Sequence, residues 1–144
     1  MVRCICLFIV ILTSSNTFAQ WPGDDCDYAI VAFEGQNYFD TLGASASTPL
    51  PDESQCPGTY LGWNSTTPDV WMQFTPTYSG TYLFSTCDFN SYDTSIVLYE
   101  GNCNKLNQIS CNGDSDLSNP DCQNYYSTIE TTLNQGINLS LIHI

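Results

Sequence analysis

The sequence predicts an all-β fold: a jelly-roll-like antiparallel β-sandwich stabilised by disulfides. Three observations predict it. Short runs of alternating apolar and polar residues recur along the chain, and Gly, Pro, Asn and Asp separate them. No long run shows the period of an amphipathic helix. Cysteines are frequent for a chain of this length, with 8 among 144 residues, which is typical of secreted domains that rely on cross-links.

The start of the chain, residues 1–19, has the pattern of a secretory signal peptide. Arg3 precedes an apolar run over residues 5–12, and small or polar residues follow. The run is too short to span a bilayer, and no later segment reaches the roughly 20 apolar residues that a span needs. We therefore expect a secreted, extracellular protein without a membrane span. Its single β-sandwich domain is predicted to cover residues 20–138.

The cysteines that follow the signal peptide predict disulfides rather than a zinc site or a catalytic thiol. An even number in an exported domain favours disulfides, and no CxxC pair is present. If residues 106–110 are extended, Cys103 and Cys111 lie at opposite ends of a strand, farther apart than a disulfide reaches. We favour a bond from Cys111 to Cys87 or Cys122, and the full pairing stays open. The set is Cys26, Cys56, Cys87, Cys103, Cys111 and Cys122.

Seven strands are predicted in chain order, at residues 29–33, 37–41, 70–75, 81–86, 94–99, 106–110 and 127–133. The strand at 94–99 is apolar on both faces, because Ile96 and Leu98 oppose Val97 and Tyr99, so we expect it to be central in its sheet. The proline-rich stretch 47–64 is predicted to be a long loop held through Cys56.

The stretch DVWMQFTPTYSGTYLFSTC, residues 69–87, reads as two strands around a turn. Val70, Met72 and Phe74 point to one face of the first strand, and Trp71 points to the other. The connection TPTYSGT contains a proline and a glycine, which predicts a hairpin.

The last six residues, LSLIHI, resemble a translated transposon-end sequencing adapter. The codons CTG TCT CTT ATA CAC ATC encode this string in order, and the chain stops there. We therefore interpret residues 139–144 as a non-native tail and the sandwich as truncated at its last strand. The alternative is an ordinary strand, since apolar residues alternate in it. On the adapter interpretation His143, the only histidine, has no function.

The mature chain is strongly acidic. The full sequence carries a formal net charge of −13, and loss of Arg3 with the signal peptide leaves Lys105 as the one remaining Lys or Arg. Such a surface repels nucleic acid and anionic membranes, and it attracts cations. Aromatic and β-branched residues are plentiful, which argues against disorder. Nucleic acid is therefore excluded as a partner.

Several motifs follow one another in a specific order between Asp24 and Gly136. DVWMQF is followed by SGTYLF, DTSIVLYEG, SCNGDSD and STIETTLNQG. This order resembles the bacterial pre-peptidase C-terminal domain and related secreted β-sandwich modules. The resemblance implies a jelly-roll-like sandwich attached to secreted hydrolases or surface proteins, with no catalytic role of its own. It also implies that calcium is a conceivable ligand.

The acidic turn CNGDSDLSNPDC, residues 111–122, is the best candidate for a metal site. Calcium takes six to eight hard oxygen ligands, which carboxylates and amides supply. If strands 81–86, 94–99 and 106–110 are antiparallel neighbours, the loops 87–94 and 111–122 meet at one end of the sheet. The alternative is that Asp, Asn and Gly simply form turns. The candidate calcium ligands are Asp88, Asp93, Asn112, Asp114, Asp116 and Asp121.

Aromatic residues outside the predicted strands are candidates for ligand stacking. Tyr60 and Trp63 lie in the long loop, and Tyr125 and Tyr126 precede the last predicted strand. Rings of this kind can bind carbohydrate when exposed, whereas core packing is their commoner role in sandwiches.

No catalytic constellation is predicted. DTL at Asp40 and DTS at Asp93 resemble the D-T-G of aspartic proteases, but both lack the glycine. We expect a non-catalytic accessory module that binds an extracellular polysaccharide or protein, or a partner domain, and that can be attached to a hydrolase encoded downstream. The alternatives are a structural or adhesive surface protein and, more remotely, an acid hydrolase with paired aspartates. No cofactor other than calcium is suggested.

Overall fold

The computed structural model describes residues 21–56, 59–89, 91–115 and 119–143. The predicted signal peptide lies outside these residues. Within them the regular structure is β-strand, apart from two short 3₁₀ helices, Cys26–Tyr28 and Glu53–Gln55. The prediction of an all-β, disulfide-stabilised fold is confirmed.

The described strands form two unequal sheets. The larger sheet has the order β1-β2-β7-β4-β5, and the smaller sheet contains β3 and β6. Only β1 and β2 pair in parallel; the other pairs are antiparallel. The strands are β1 (Ile30–Val31), β2 (Val70–Phe74), β3 (Gly80–Ser85), β4 (Ile96–Asn102), β5 (Lys105–Asn112), β6 (Thr128–Leu133) and β7 (Leu139–His143).

The predicted hairpin between β2 and β3 is wrong. β2 pairs with β1 and β7, whereas β3 pairs with β6, so the chain crosses from one sheet to the other after Phe74. The rings of Phe74 and Tyr82 meet edge to face between the sheets, with centroids 5.5 Å apart. Alternation correctly identified which face of each strand is apolar, but it does not specify the neighbouring strand.

The predicted strand at residues 37–41 is also wrong. No strand is assigned there, and hydrogen bonds from Asn37 hold the local backbone instead. Its amide nitrogen donates to the Phe33 carbonyl at 2.8 Å, and its amide oxygen accepts from the Phe33 N–H at 3.1 Å. A side chain that bonds its neighbouring backbone in this way competes with pairing in a sheet.

The core consists of two clusters, one on each face of the larger sheet. β4 contributes to both and pairs with β5 and β7, so its predicted central position is confirmed. The inner cluster lies between the sheets and contains Phe74, Tyr82, Ile96, Leu98, Ile129, Leu133 and Leu139. The outer cluster lies beneath the long loop and contains Cys56, Leu61, Trp63, Trp71, Val97 and Tyr99.

The C-terminal residues form β7, which lies between β2 and β4. Leu139 is buried in the inner cluster, and β7 is paired along both of its edges. Strand pairing uses backbone groups, so any alternating segment can occupy this position whatever its origin. The interpretation of residues 139–144 as an adapter-derived tail therefore stays a prediction.

Three disulfides connect segments that are distant in sequence. They join Cys26 to Cys103, Cys56 to Cys111 and Cys87 to Cys122, with Cα–Cα distances of 5.6, 5.6 and 4.7 Å. The partner favoured for Cys111 is therefore wrong. Cys111 packs on the outer cluster beside Cys56, and Cys87 and Cys122 bond to each other. The prediction that Cys56 holds the long loop is confirmed.

Removing the Cys56–Cys111 bond is expected to destabilise the fold. The bond links residues 55 positions apart, and without it the loop over the outer cluster gains freedom in the unfolded chain. We expect the Cys56→Ala, Cys111→Ala double variant to lose about 2–5 kcal/mol of unfolding free energy, measured by urea titration. Mass spectrometry should confirm the other two bonds. An unchanged midpoint would contradict this role.

Candidate functional site

The main candidate site is a groove of about 760 Å³ between β3 and the extended segment 32–40, which we call the strap. The groove follows from the unequal sheets. The larger sheet has five strands and the smaller has two, so part of the inner face near β2 has no strand opposite it. The strap crosses this region, and no strand is assigned within its residues.

The floor of the groove is apolar. It is formed by Met72 and Phe74 from β2, Tyr82 and Phe84 from β3, and Ile96 from β4. These side chains point inward because alternate residues of each strand face the space between the sheets. The ring of Phe74 meets that of Phe84 edge to face, with centroids 5.7 Å apart.

The strap forms one wall of the groove and adds three more rings: Phe33, Tyr38 and Phe39. Tyr38 is 80 % exposed, whereas Phe39 is half-buried. Neighbouring residues in an extended chain point to opposite sides, so two consecutive aromatics cannot both be buried against one surface. The adjacent rings in the sequence NYFD were a signal for this site that the sequence prediction missed.

Polar contacts close the groove at two points. The Thr77 hydroxyl donates to Glu34 Oε1 at 2.9 Å, joining the strap to the connection before β3. The Thr41 hydroxyl and the Tyr92 hydroxyl lie 3.5 Å apart. The Glu34 carboxylate also raises the pKa of the nearby Tyr78. The Tyr78 phenol therefore stays protonated at neutral pH and can donate a hydrogen bond.

The charge of the groove is negative. Glu34, Asp40 and Asp88 line it and are exposed, and the described lining contains no Lys, Arg or His. Its one cysteine, Cys87, is in a disulfide. The described lining therefore offers rings for stacking and oxygens that accept hydrogen bonds, without a pair of side chains suited to nucleophilic catalysis.

The predicted calcium ligands lie in two loops that do meet. The Cys87–Cys122 bond joins the loops 87–94 and 111–122, and the Asp88 N–H donates to Gln123 Oε1 at 2.8 Å. The predicted reason holds in part: β4 and β5 are antiparallel neighbours, with Ile96 opposite Asn112, whereas β3 lies in the other sheet. The pairing of β4 with β5 and the Cys87–Cys122 disulfide together bring the two loops to the same end.

The individual calcium candidates have different surroundings. Burial and the nearby Asp114 carboxylate raise the pKa of Asp93. The Asn112 side chain holds the turn, accepting from the Thr128 N–H at 2.8 Å and the Ser115 hydroxyl at 2.9 Å. Asp116 lies outside the described residues, and Asp121 is exposed. In the described part of the chain, no three His, Cys, Asp or Glu side chains form a group that could hold a metal. The calcium site stays a prediction.

Of the predicted stacking residues, two are exposed and two are buried. Tyr60 is 75 % exposed and Tyr125 is 48 % exposed. Trp63 and Tyr126 are only 7 % and 8 % exposed, which corrects the prediction that they offer surface rings. Trp63 packs in the outer cluster because the long loop folds over the apolar outer face of β4.

A buried carboxylate, Asp69, lies beside the outer cluster and away from the groove. It accepts hydrogen bonds from the backbone N–H and the hydroxyl of Ser47, and the Trp71 indole donates to that hydroxyl at 2.7 Å. Burial raises the pKa of Asp69, and the bonds from Ser47 partly oppose this shift. Burial and the Asp69 charge raise the pKa of Tyr99 to about 12. This network ties the long loop to β2.

Asp40 and Asp93, the two residues in aspartic-protease-like motifs, lie in different surroundings. Asp40 lines the groove, and its carboxylate accepts from the Leu42 N–H at 2.7 Å. Asp93 lies in the loop 87–94, where burial and the Asp114 carboxylate raise its pKa.

Comparison with protein-family models, with curated proteins and with solved structures found no match. The resemblance to the pre-peptidase C-terminal domain therefore stays a prediction. Among the described residues, no helix is long and apolar enough to cross a membrane.

We expect the Asp69→Asn variant to gain stability relative to the parent as pH rises. The parent's raised pKa favours folding at low pH, and this contribution is lost as pH rises from about 3.8 through the higher folded value. The difference in melting temperature, variant minus parent, should thus be more positive at pH 7 than at pH 3.5. Ser47→Ala keeps the Asp69 carboxylate but removes a hydrogen bond to it. Its stability should therefore fall more steeply with rising pH than that of the parent. A pH-independent difference would contradict this assignment.

The Asp114→Asn variant tests the paired acidic loops. Removing this charge should lower the pKa of Asp93, so the variant should melt above the parent at pH 7, by a margin that shrinks towards pH 3. Asp27→Asn, which removes an exposed carboxylate outside both loops, is the matched control. Repeating the melts with millimolar calcium tests the metal prediction: calcium should raise the parent's melting temperature more than that of Asp114→Asn. Equal shifts in the two proteins would remove the calcium hypothesis.

Proposed function

We propose that the protein is a secreted, non-catalytic binding module that holds an extended extracellular polymer in the groove between the strap and β3. The observation that carries this proposal is the groove itself, with aromatic rings on its floor and wall and acidic groups along it. The three disulfides support an extracellular location, because such bonds persist in oxidising compartments.

The shape of the groove favours an elongated ligand. Residues 81–86 all line it, so it follows β3 for nearly the whole length of that strand. At about 3.3 Å per residue this is roughly 17–20 Å. A volume of about 760 Å³ is within the range of sites that bind drug-sized ligands. A polymer segment fits this geometry better than a compact metabolite does.

Exposed rings supply the binding energy in this proposal. Phe33, Tyr38, Tyr78 and Tyr92 are all at least half exposed, so a ligand can cover area that is now in water. Aromatic rings bury about 150–250 Å² each, and tyrosine is enriched among residues that dominate binding energies. Their hydroxyls can bond the hydroxyls of a sugar or the amides of a peptide.

The charge of the site limits which polymers can bind. The acidic groove and a formal net charge of −13 repel anionic chains, so the ligand is neutral or cationic. The motif order that resembles pre-peptidase C-terminal modules also supports an accessory role, attached to a hydrolase or a surface protein.

The test is a binding measurement on the parent and two tyrosine variants. We expect Tyr38→Ala to weaken binding of the polymer ligand by about tenfold or more, measured by calorimetry against neutral oligosaccharides and cationic peptides. Tyr60→Ala is the matched control, because Tyr60 is similarly exposed but outside the groove. Loss of binding in Tyr60→Ala alone would place the site on the long loop. Absence of binding by the parent to every probe would favour the structural or adhesive alternative.

A further inference from the structure

One edge of β3 is uncovered in the described part of the chain. The smaller sheet contains β3 and β6 alone, and β6 pairs with β3 along a single edge from Gly80 to Ser85. The other edge faces the groove, since residues 81–86 line it. The groove is therefore bounded on one side by the open edge of a sheet as well as by side chains.

The register identifies which backbone groups lie along this edge. The Thr86 N–H donates to the Ser127 carbonyl at 3.0 Å, so the backbone of Thr86 points towards β6. In an antiparallel pair, successive residues point alternately towards and away from the partner strand. The N–H and C=O groups of Thr81, Leu83 and Ser85 therefore point away from β6. They form a row of donors and acceptors along the groove.

The backbone bond described for the strap goes to the larger sheet, because the Ala32 N–H donates to the Gln73 carbonyl of β2 at 2.8 Å. The Asn37 side chain instead bonds the strap's own backbone at Phe33 and Gly35. The space between the strap and β3 has the volume of the groove, about 760 Å³.

The edge also lacks the features that protect exposed strands. Natural edge strands are blocked by charged residues, prolines or bulges. The sequence of β3, GTYLFS, has no charge and no proline, and its register with β6 is continuous. Leu83, in the middle of the strand, is 65 % exposed. An edge of this kind readily pairs with another chain.

We propose that the occupant of the groove is an extended polypeptide that adds as a strand to the open edge of β3. This inference rests on the proposed function, because it names the polymer class that the same groove binds. The added strand would give the smaller sheet a third member and cover the half-buried ring of Phe84. Main-chain bonds to an edge strand supply affinity in this mode, and side-chain pockets supply specificity.

The chemistry of the groove defines the peptide further. Alternate side chains of an added strand point to the floor, where the half-buried ring of Phe84 packs on the buried Phe74 and favours apolar residues. The carboxylates of Glu34 and Asp40 lie on the strap side and favour Lys or Arg. The expected ligand is therefore a segment in which apolar and basic residues alternate. An acidic segment of the same pattern should not bind.

The experiment uses an eight-residue peptide of alternating Val and Lys, with capped ends, as the probe. We expect it to bind the disulfide-bonded protein, and we expect the Val–Glu counterpart not to bind. Methylating alternate backbone nitrogens of the Val–Lys peptide preserves its side chains but removes the donors on one edge. Of the two methylation patterns, one should weaken binding by about tenfold or more, because it blocks pairing with β3. Equal binding of both patterns and the parent peptide would overturn the proposal.

Two protein variants test the same backbone hydrogen bond by changing β3 instead of the peptide. Leu83→Pro removes an N–H that faces the groove and leaves the residues bonded to β6 intact, since proline is tolerated on the open side of an edge strand. Leu83→Ala keeps the N–H and is the matched control. We expect peptide binding to be lost in the proline variant and retained in the alanine variant. Equal binding by both would overturn strand addition. If the proline variant does not fold, the methylated peptides test strand addition in its place.

Hydrogen exchange of individual amides shows which backbone groups of β3 pair with the peptide. Binding of the Val–Lys peptide should slow exchange of alternate amides in β3, at Thr81, Leu83 and Ser85, with little change at Tyr82 and Phe84. Protection that rises with protein concentration in the absence of peptide would overturn the proposal in favour of a second copy of this chain. Oligosaccharide binding that depends on Tyr38, without peptide binding, would overturn it while leaving the proposed function standing.

Discussion

The larger sheet is apolar on both faces, and the rest of the structure depends on covering both of them. Val97 and Leu98 are consecutive in β4 and point to opposite faces, yet neither is exposed to solvent. Burying such side chains contributes about 1.5–3 kcal/mol each, so neither face can be left in water. Each face therefore has its own cover, and the two covers are built by different means.

The outer cover is a loop and has to be held in place. A loop has no sheet of its own to satisfy its backbone, so side chains and cross-links fix it. The Cys56–Cys111 bond holds it to β5, and Trp63 fills the space beneath it. At its start, Ser47 connects the buried carboxylate of Asp69 with the indole of Trp71. These contacts hold the loop against the outer face of the larger sheet.

The inner cover is a sheet with too few strands, and this shortage produces the groove. Two strands facing five leave apolar side chains of β2 under the strap rather than under a strand. Among the described residues, the same shortage leaves one edge of β3 open. Scaffold and candidate site thus have one origin, because the rings that stabilise the sandwich between the sheets continue into the floor of the groove. The acidic strap then sets the charge that a ligand must match.

The sequence by itself determined the local features, namely strands, their apolar faces and the position of turns. Alternation with a period of two is a property of neighbouring residues, so it identified six of the predicted strands and the two-sided burial of β4. Only tertiary structure decided which strands pair, which cysteines bond and which aromatics are buried. β2 and β3 were predicted to pair and lie in different sheets, and Trp63, a candidate for ligand stacking, lies in the core. The groove was missed for the same reason: its walls come from the strap, β2 and β3, and no local pattern specifies how segments distant in sequence meet.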